Sequence, residues 1–158
     1  TGVEEQRSVR AGGFMIPLRV EQYLSKVGGD IHRTDPQAAE RDLLGLGVPP
    51  ASEFGEFYLK YQGSFISARP IAELLDIEGR AIPAIPDQTD YVRDRYQIPD
   101  QYLALTTDES EGMYLYNKED QAVYDLDIGM LDQFLSGRMM ARWPTFNDFL
   151  TWYFEETP

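Results

Sequence analysis

The side chains that could do chemistry in this chain are carboxylates, and they are concentrated. Between Asp100 and Asp127 stand Asp100, Asp108, Glu109, Glu111, Glu119, Asp120, Asp125 and Asp127, against the single cation Lys118. Paired carboxylates can serve acid–base catalysis, bind a hard cation, or meet a basic partner. Catalysis needs one of the pair buried with a shifted pKa, whereas Asp108, Glu109 and Glu111 fall in a polar stretch that reads as an exposed turn. Asp108, Ser110 and Glu119 take positions 1, 3 and 12 of a calcium loop, but Gly112 then sits at position 5 instead of 6, and the flanks read as strands. The third use remains: an acidic surface that meets a basic protein. Its alternative is a set of solvated hairpin turns.

Other chemistries lack their residues. The sequence has no cysteine, which removes disulfides, thiolate nucleophiles and zinc–thiolate sites, and only one histidine, His32, which removes a histidine metal cluster. There is no phosphate-binding glycine loop and no serine nucleophile elbow. The expectation is a protein that is not an enzyme and carries no cofactor or metal. With 27 acidic and 14 basic side chains the net charge is −13. Such a surface repels nucleic acid and anionic membrane and attracts basic partners. No apolar run approaches the roughly 20 residues that span a bilayer. The opening TGVEEQRSVRAGG has no basic region followed by an apolar one, so a cytoplasmic protein is expected.

The elements that must position these carboxylates follow from periodicity. Residues 1–13 read as loosely ordered. Pro17 opens a helix with Val20, Tyr23, Leu24 and Val27 on one side, stopped at Gly28-Gly29. Asp35-Pro36 starts a second, carrying Ala39, Leu43, Leu44 and Leu46 to Gly47. In PASEFGEFYLKYQGSF, Phe54, Phe57, Tyr58 and Tyr61 recur at helical spacing from the Ser52 cap to about Gln62. A short strand over 64–67 and a short helix from Pro70, with Ile71, Leu74 and Leu75, come next. Residues 76–101 read as a long surface excursion with at most a short strand near Arg80–Ile85.

Three strands then follow, YLALT (102–106), GMYLY (112–116) and AVYDL (122–126), separated by polar turns. They read as an antiparallel meander. A helix around Met130–Ser136 ends at Gly137. In the last helix Phe146, Phe149, Leu150, Tyr153 and Phe154 form a stripe behind the Thr145 cap. Trp152 lies off that stripe and meets either another part of the protein or a partner. The prediction is a single α+β domain, a twisted and mainly antiparallel sheet surrounded by helices.

The order of four pieces resembles the SUKH superfamily: Leu46-Gly47-Val48-Pro49 before the aromatic helix and its closing Gly63, Ile98-Pro99 before YLALTTDESEG, the hairpin GMYLYNKEDQAVYDLD, and the terminal PTFNDFLTWYF. They run from Leu46 to Phe154, and the resemblance implies a SUKH-like domain over 14–158. It also implies an immunity protein that binds a cognate toxin and blocks it stoichiometrically. On that reading the toxin-binding candidates are Asp108, Glu109, Glu111, Glu119 and Asp120, with Tyr91, Tyr96 and Trp152 as aromatic anchors. The partner would be a basic toxin domain, such as a nuclease. A non-catalytic binding scaffold of the same fold is the other reading.

Overall fold

The first described elements are an antiparallel pair, β1 (Val9–Arg10) against β2 (Gly13–Phe14). In the computed structural model, residues 9–10, 13–14, 16–27, 29–78 and 83–156 are described. Most of the stretch read as loosely ordered, 1–13, and Gly28 and 79–82, lie outside the described residues; Val9, Arg10 and Gly13 belong to the small hairpin.

Three helices follow as their spacing and caps predict. In α1 (Leu18–Val27), Val20 and Leu24 are buried one turn apart. Asp35 Oδ1 accepts from the Ala38 amide (3.1 Å) to cap α2 (Pro36–Leu46), which ends at Gly47 with φ 82°. Ser52 Oγ accepts from the Gly55 amide (3.0 Å) to cap α3 (Glu53–Lys60), and Phe54, Phe57 and Tyr58 are buried. α3 stops at Lys60, short of the expected Gln62. Tyr61 instead pairs with His32: the Arg33 amide donates to Lys60 O (2.9 Å) and the Gln62 amide to Ile31 O (2.8 Å). These bonds require extended backbone and so end the helix.

Two expectations fail between Ser64 and Gln101. No helix begins at Pro70. Leu74 exchanges both backbone bonds with Phe65 (2.9 Å each), and the Leu75 amide donates to Leu105 O (2.9 Å), so this stretch is extended and tied to the sheet. The surface excursion is in part a helix, α4 (Ile85–Tyr96), with Pro86 in its first turn and Asp87 accepting from the Ala84 amide. Of the short strand expected near Arg80–Ile85, 80–82 lie outside the described residues and Ile85 is helical. The buried positions of α4 are Ile85, Gln88, Thr89 and Val92, which is helical spacing with polar side chains in the middle two slots. Those two are buried because they bond into the domain: Thr89 Oγ1 accepts from the Ala104 amide (2.9 Å) and Gln88 Nε2 donates to Asp108 (3.3 Å).

The meander is as predicted: β3 (Tyr102–Ala104), β4 (Gly112–Asn117) and β5 (Val123–Asp127), in that order and antiparallel. A 3₁₀ turn over Ile128–Met130 leads into α5 (Leu131–Leu135), which stops before Gly137. Trp143 pairs with Val123 on the outer side of β5. Thr145 caps α6 (Phe146–Tyr153) through the Asp148 amide (3.0 Å).

Strand alternation sends Leu103, Tyr116 and Val123 to one face, where they meet α1, α2, α3 and α6 in an aromatic core. It sends Tyr102, Ala104, Met113, Leu115 and Leu126 to the other, where they meet Val92, Ile98 and Phe134. At the centre of the larger core the Phe54 ring lies 4.8 Å from Tyr58, 4.6 Å from Tyr116 and 5.0 Å from Phe146. The result is an α+β domain whose small antiparallel sheet is covered by helices on both faces.

Candidate functional site

The β3–β4 connection is held at both ends, and this decides what its carboxylates can do. Leu105 N donates to Tyr114 O (2.9 Å), and the Tyr114 amide donates to Thr106 Oγ1 (3.2 Å). The Glu111 amide donates to Asp108 O (3.1 Å), while Glu111 O accepts from the Ile128 amide (3.0 Å). Glu111 takes a left-handed φ of 60°, which turns the chain back into β4.

Asp108 is half-buried within this loop and faces α4. Its carboxylate accepts from the Tyr96 hydroxyl (2.5 Å) and from Gln88 Nε2 (3.3 Å). That bond to Asp108, with burial second, raises the Tyr96 pKa above the ordinary phenol value. Asp108 therefore acts within the fold, fastening the loop to α4. Glu109 and Glu111 are exposed, and no ion pair engages either among the described residues.

The structure brings Tyr91 and Tyr96 to the same place. The Arg95 guanidinium lies over the Tyr96 ring (5.3 Å) and near that of Tyr91 (6.0 Å), and Nη1 donates to the Tyr91 hydroxyl (3.2 Å). Tyr91 is 45% exposed. Two tyrosines clamped by an arginine form a firm surface beside the loop, of the composition that binding hot spots favour. Arg95 is not singled out by the sequence, because the helix that aligns it with Tyr91 is not apparent there.

Trp152 lies on the opposite face of the sheet and meets other parts of the protein. Its ring is 4.8 Å from Trp143 and 5.8 Å from Tyr114, with the guanidiniums of Arg69 (4.5 Å) and Arg142 (4.6 Å) on it. Arg142 also lies 4.5 Å from Trp143 and donates to Asp125 Oδ2 (2.5 Å). The β4–β5 register pairs Tyr114 with Asp125, which sets this stack beside the start of β4. Arg69 donates through Nε to Trp152 O (3.2 Å) and pairs with Glu155.

Glu119 and Asp120 do not join Asp108, Glu109 and Glu111. They occupy the β4–β5 turn, at the other end of the six-residue β4, which is about 20 Å long. The strand that separates them also rules out the calcium loop, whose positions 1 and 12 would stand at opposite ends of the sheet. Asp120 Oδ1 accepts from the Ala122 amide (2.9 Å), and the Glu119 amide donates to Asn117 Oδ1 (2.8 Å). Lys118 is drawn inward, donating to Leu46 O (3.1 Å), and burial lowers its pKa.

Other carboxylates take the place beside Glu109 and Glu111. A cleft of about 230 Å³ is lined by Glu111, Asp125 and Asp127 together with Pro70, Ile71 and Tyr114. A second, of about 410 Å³, shares Ile71 and Ala72 with it and adds Glu73 and Glu109. Among the described residues no Lys or Arg lines either cleft. The sequence shows Asp125 and Asp127 only as part of a long acidic run, and Glu73 lies in a segment that reads as a helix there.

A buried ion pair lies elsewhere and serves the fold. Arg33 donates to Asp76 through Nη2 (2.7 Å) and Nη1 (3.1 Å) and to Tyr58 O through Nε (2.9 Å), and side-chain exposures are 1% and 4%. His32 is exposed and packs on Tyr61 (5.5 Å). Among the described residues no cluster of His, Cys, Asp and Glu has a metal-binding arrangement, and no helix is long and apolar enough to cross a membrane. No family model and no curated protein matches the sequence.

Proposed function

We propose that this chain is a non-catalytic protein-binding domain that neutralises a basic toxin by stoichiometric association, an immunity protein of the SUKH type acting in the cytoplasm of the producing cell. The observation that carries the reading is the β3–β4 loop. It is fixed at both ends, it holds Glu109 and Glu111 out to solvent, and it lies between the Tyr91–Arg95–Tyr96 clamp and two clefts in which no cation stands among the described residues. A preset acidic surface steers a basic partner and speeds association. Aromatic and arginine anchors add contact area at low entropic cost. A stable complex buries about 800 Å² on each partner, so the interface extends past the loop onto α4 or the neighbouring clefts. In mechanism, the loop covers a cationic active-site cleft, such as one that holds phosphate in a nuclease, or docks beside it.

The test is co-expression with a candidate toxin domain from the adjacent coding region, scoring survival and co-purification. Survival with a stable one-to-one complex is the expected outcome. Survival without any complex points to catalytic reversal of damage and sinks the binding reading. Binding of a protein that is not toxic would leave the scaffold reading in its place.

A further inference from the structure

The two clefts beside the β3–β4 loop adjoin at Ile71 and Ala72, which line both, and together they are called the groove. We propose that this groove docks an extended basic segment of the partner, whose Lys or Arg stems lie on Ile71 and Tyr114 while their charged heads meet Glu111 and Asp127 at one end and Glu73 and Glu109 at the other. The inference rests on the protein-binding reading above and assigns its partner a chemistry and a place.

Three features of the groove favour that occupant. The first cleft sets Ile71, Met113 and Tyr114 beside Glu111 and Asp127, and the second, more polar, sets Ile71, Leu75 and Pro83 beside Glu73 and Glu109; this mixture suits side chains with a long aliphatic stem and a cationic end. The rim carboxylates have no cation among the described residues, apart from Asp125, which pairs with Arg142. Arg142 shows the same chemistry within the protein, its guanidinium stacked on Trp143 and Trp152 and its Nη1 on Asp125. The groove repeats that combination one step along the sheet, with Tyr114 as the aromatic surface and Asp127 and Glu111 as acceptors. An extended backbone also fits the wall at Leu74 and Leu75, which pairs with Phe65 and is joined to the sheet through Leu105.

The probe is a short fluorescein-labelled peptide of alternating arginine and alanine, followed by anisotropy with the purified protein. E111Q/D127N and, separately, E73Q/E109Q remove two charges from the groove, and E119Q/D120N removes the same charge from the far end of the sheet. Amide side chains keep the oxygens that accept from the Gly129 and Ala122 amides, and E73Q/E109Q changes only exposed positions. The expected result is about tenfold weaker binding for each groove variant and no more than about twofold for E119Q/D120N. Equal losses in all three would mean general attraction to an acidic protein and would overturn the groove, as would no binding to the unmodified protein. The peptide assay uses no toxin, so the two readings fail separately. Unchanged toxin rescue by E111Q/D127N overturns the groove and spares the immunity reading. Site-dependent peptide binding by a protein that neutralises no toxin keeps the groove and removes that reading.

Discussion

The two ends of β4 carry turns of similar acidity and opposite character. At the β4–β5 end, Asp120 bonds its own turn, Asn117 holds the Glu119 amide, and Lys118 reaches back to close the C-terminus of α2. In the β3–β4 turn, Asp108 is bonded to α4, while Glu109 and Glu111 are exposed and have no ion pair among the described residues. The difference teaches that local charge density does not identify a binding surface. Glu119 is exposed like Glu109 and Glu111; what differs is the surroundings, because Glu109 and Glu111 line clefts that also hold apolar side chains.

The largest expected effect tests what both ends share. Phe57 is fully buried against Tyr58, Tyr61, Phe65 and Phe146. Phe57→Ala should lower stability by about 3–5 kcal/mol in urea denaturation and weaken both ends together. A neutral result would undo the assignment of α3 to the core. Next comes the contrast itself. Reversing Glu109 and Glu111 to lysine should slow association with a basic toxin by about tenfold at low salt, with folding unchanged, while reversal of Glu119 alone should do much less. Stopped-flow rates at two ionic strengths decide it, and equal slowing would erase the distinction between the ends.

A smaller effect sharpens the role of Asp108. Tyr96→Phe removes the hydroxyl that fastens the loop and should cost about 0.5–1.5 kcal/mol. Amide exchange should rise over 107–111 and stay unchanged over 118–121. Uniform change along both turns would show that Tyr96 does not fasten the loop selectively. The last effect is absent at neutral pH. Burial, with Tyr124 nearby, pushes the Tyr102 phenol up to about 12, against about 10 in an unfolded chain. The folded state therefore holds this proton more tightly. Its stabilisation is complete below pH 10 and is lost as pH rises from 10 through 12. Tyr102→Phe should flatten the alkaline limb of the stability curve; an unchanged limb would exclude this tyrosine as its cause.

Legibility followed chemistry. The caps at Asp35, Ser52 and Thr145 were readable because a side-chain oxygen three residues before an amide is a local arrangement. The aromatic faces of α3 and α6 and the three strands were readable because their buried positions are apolar. α4 was missed because Gln88 and Thr89 fill two of its four buried positions, and their burial depends on Ala104 and Asp108, 15 and 20 residues away. The stretch after Pro70 was misread because Ile71, Leu74 and Leu75 suit a helix equally well until Phe65 and Leu105 claim their backbone.

By itself the sequence determined the excess of acidic over basic side chains, the absence of thiol chemistry and of a histidine metal cluster, and the meander with its acidic turns. These depend on residue type and on spacing along the chain. Only the tertiary structure decided that Glu119 and Asp120 stand apart from Glu109 and Glu111, that Asp108 faces inward, and that two arginines stack on Trp152. Each of those outcomes is set by what packs against a residue from far away in the chain, and a linear pattern of side chains holds no record of that neighbour.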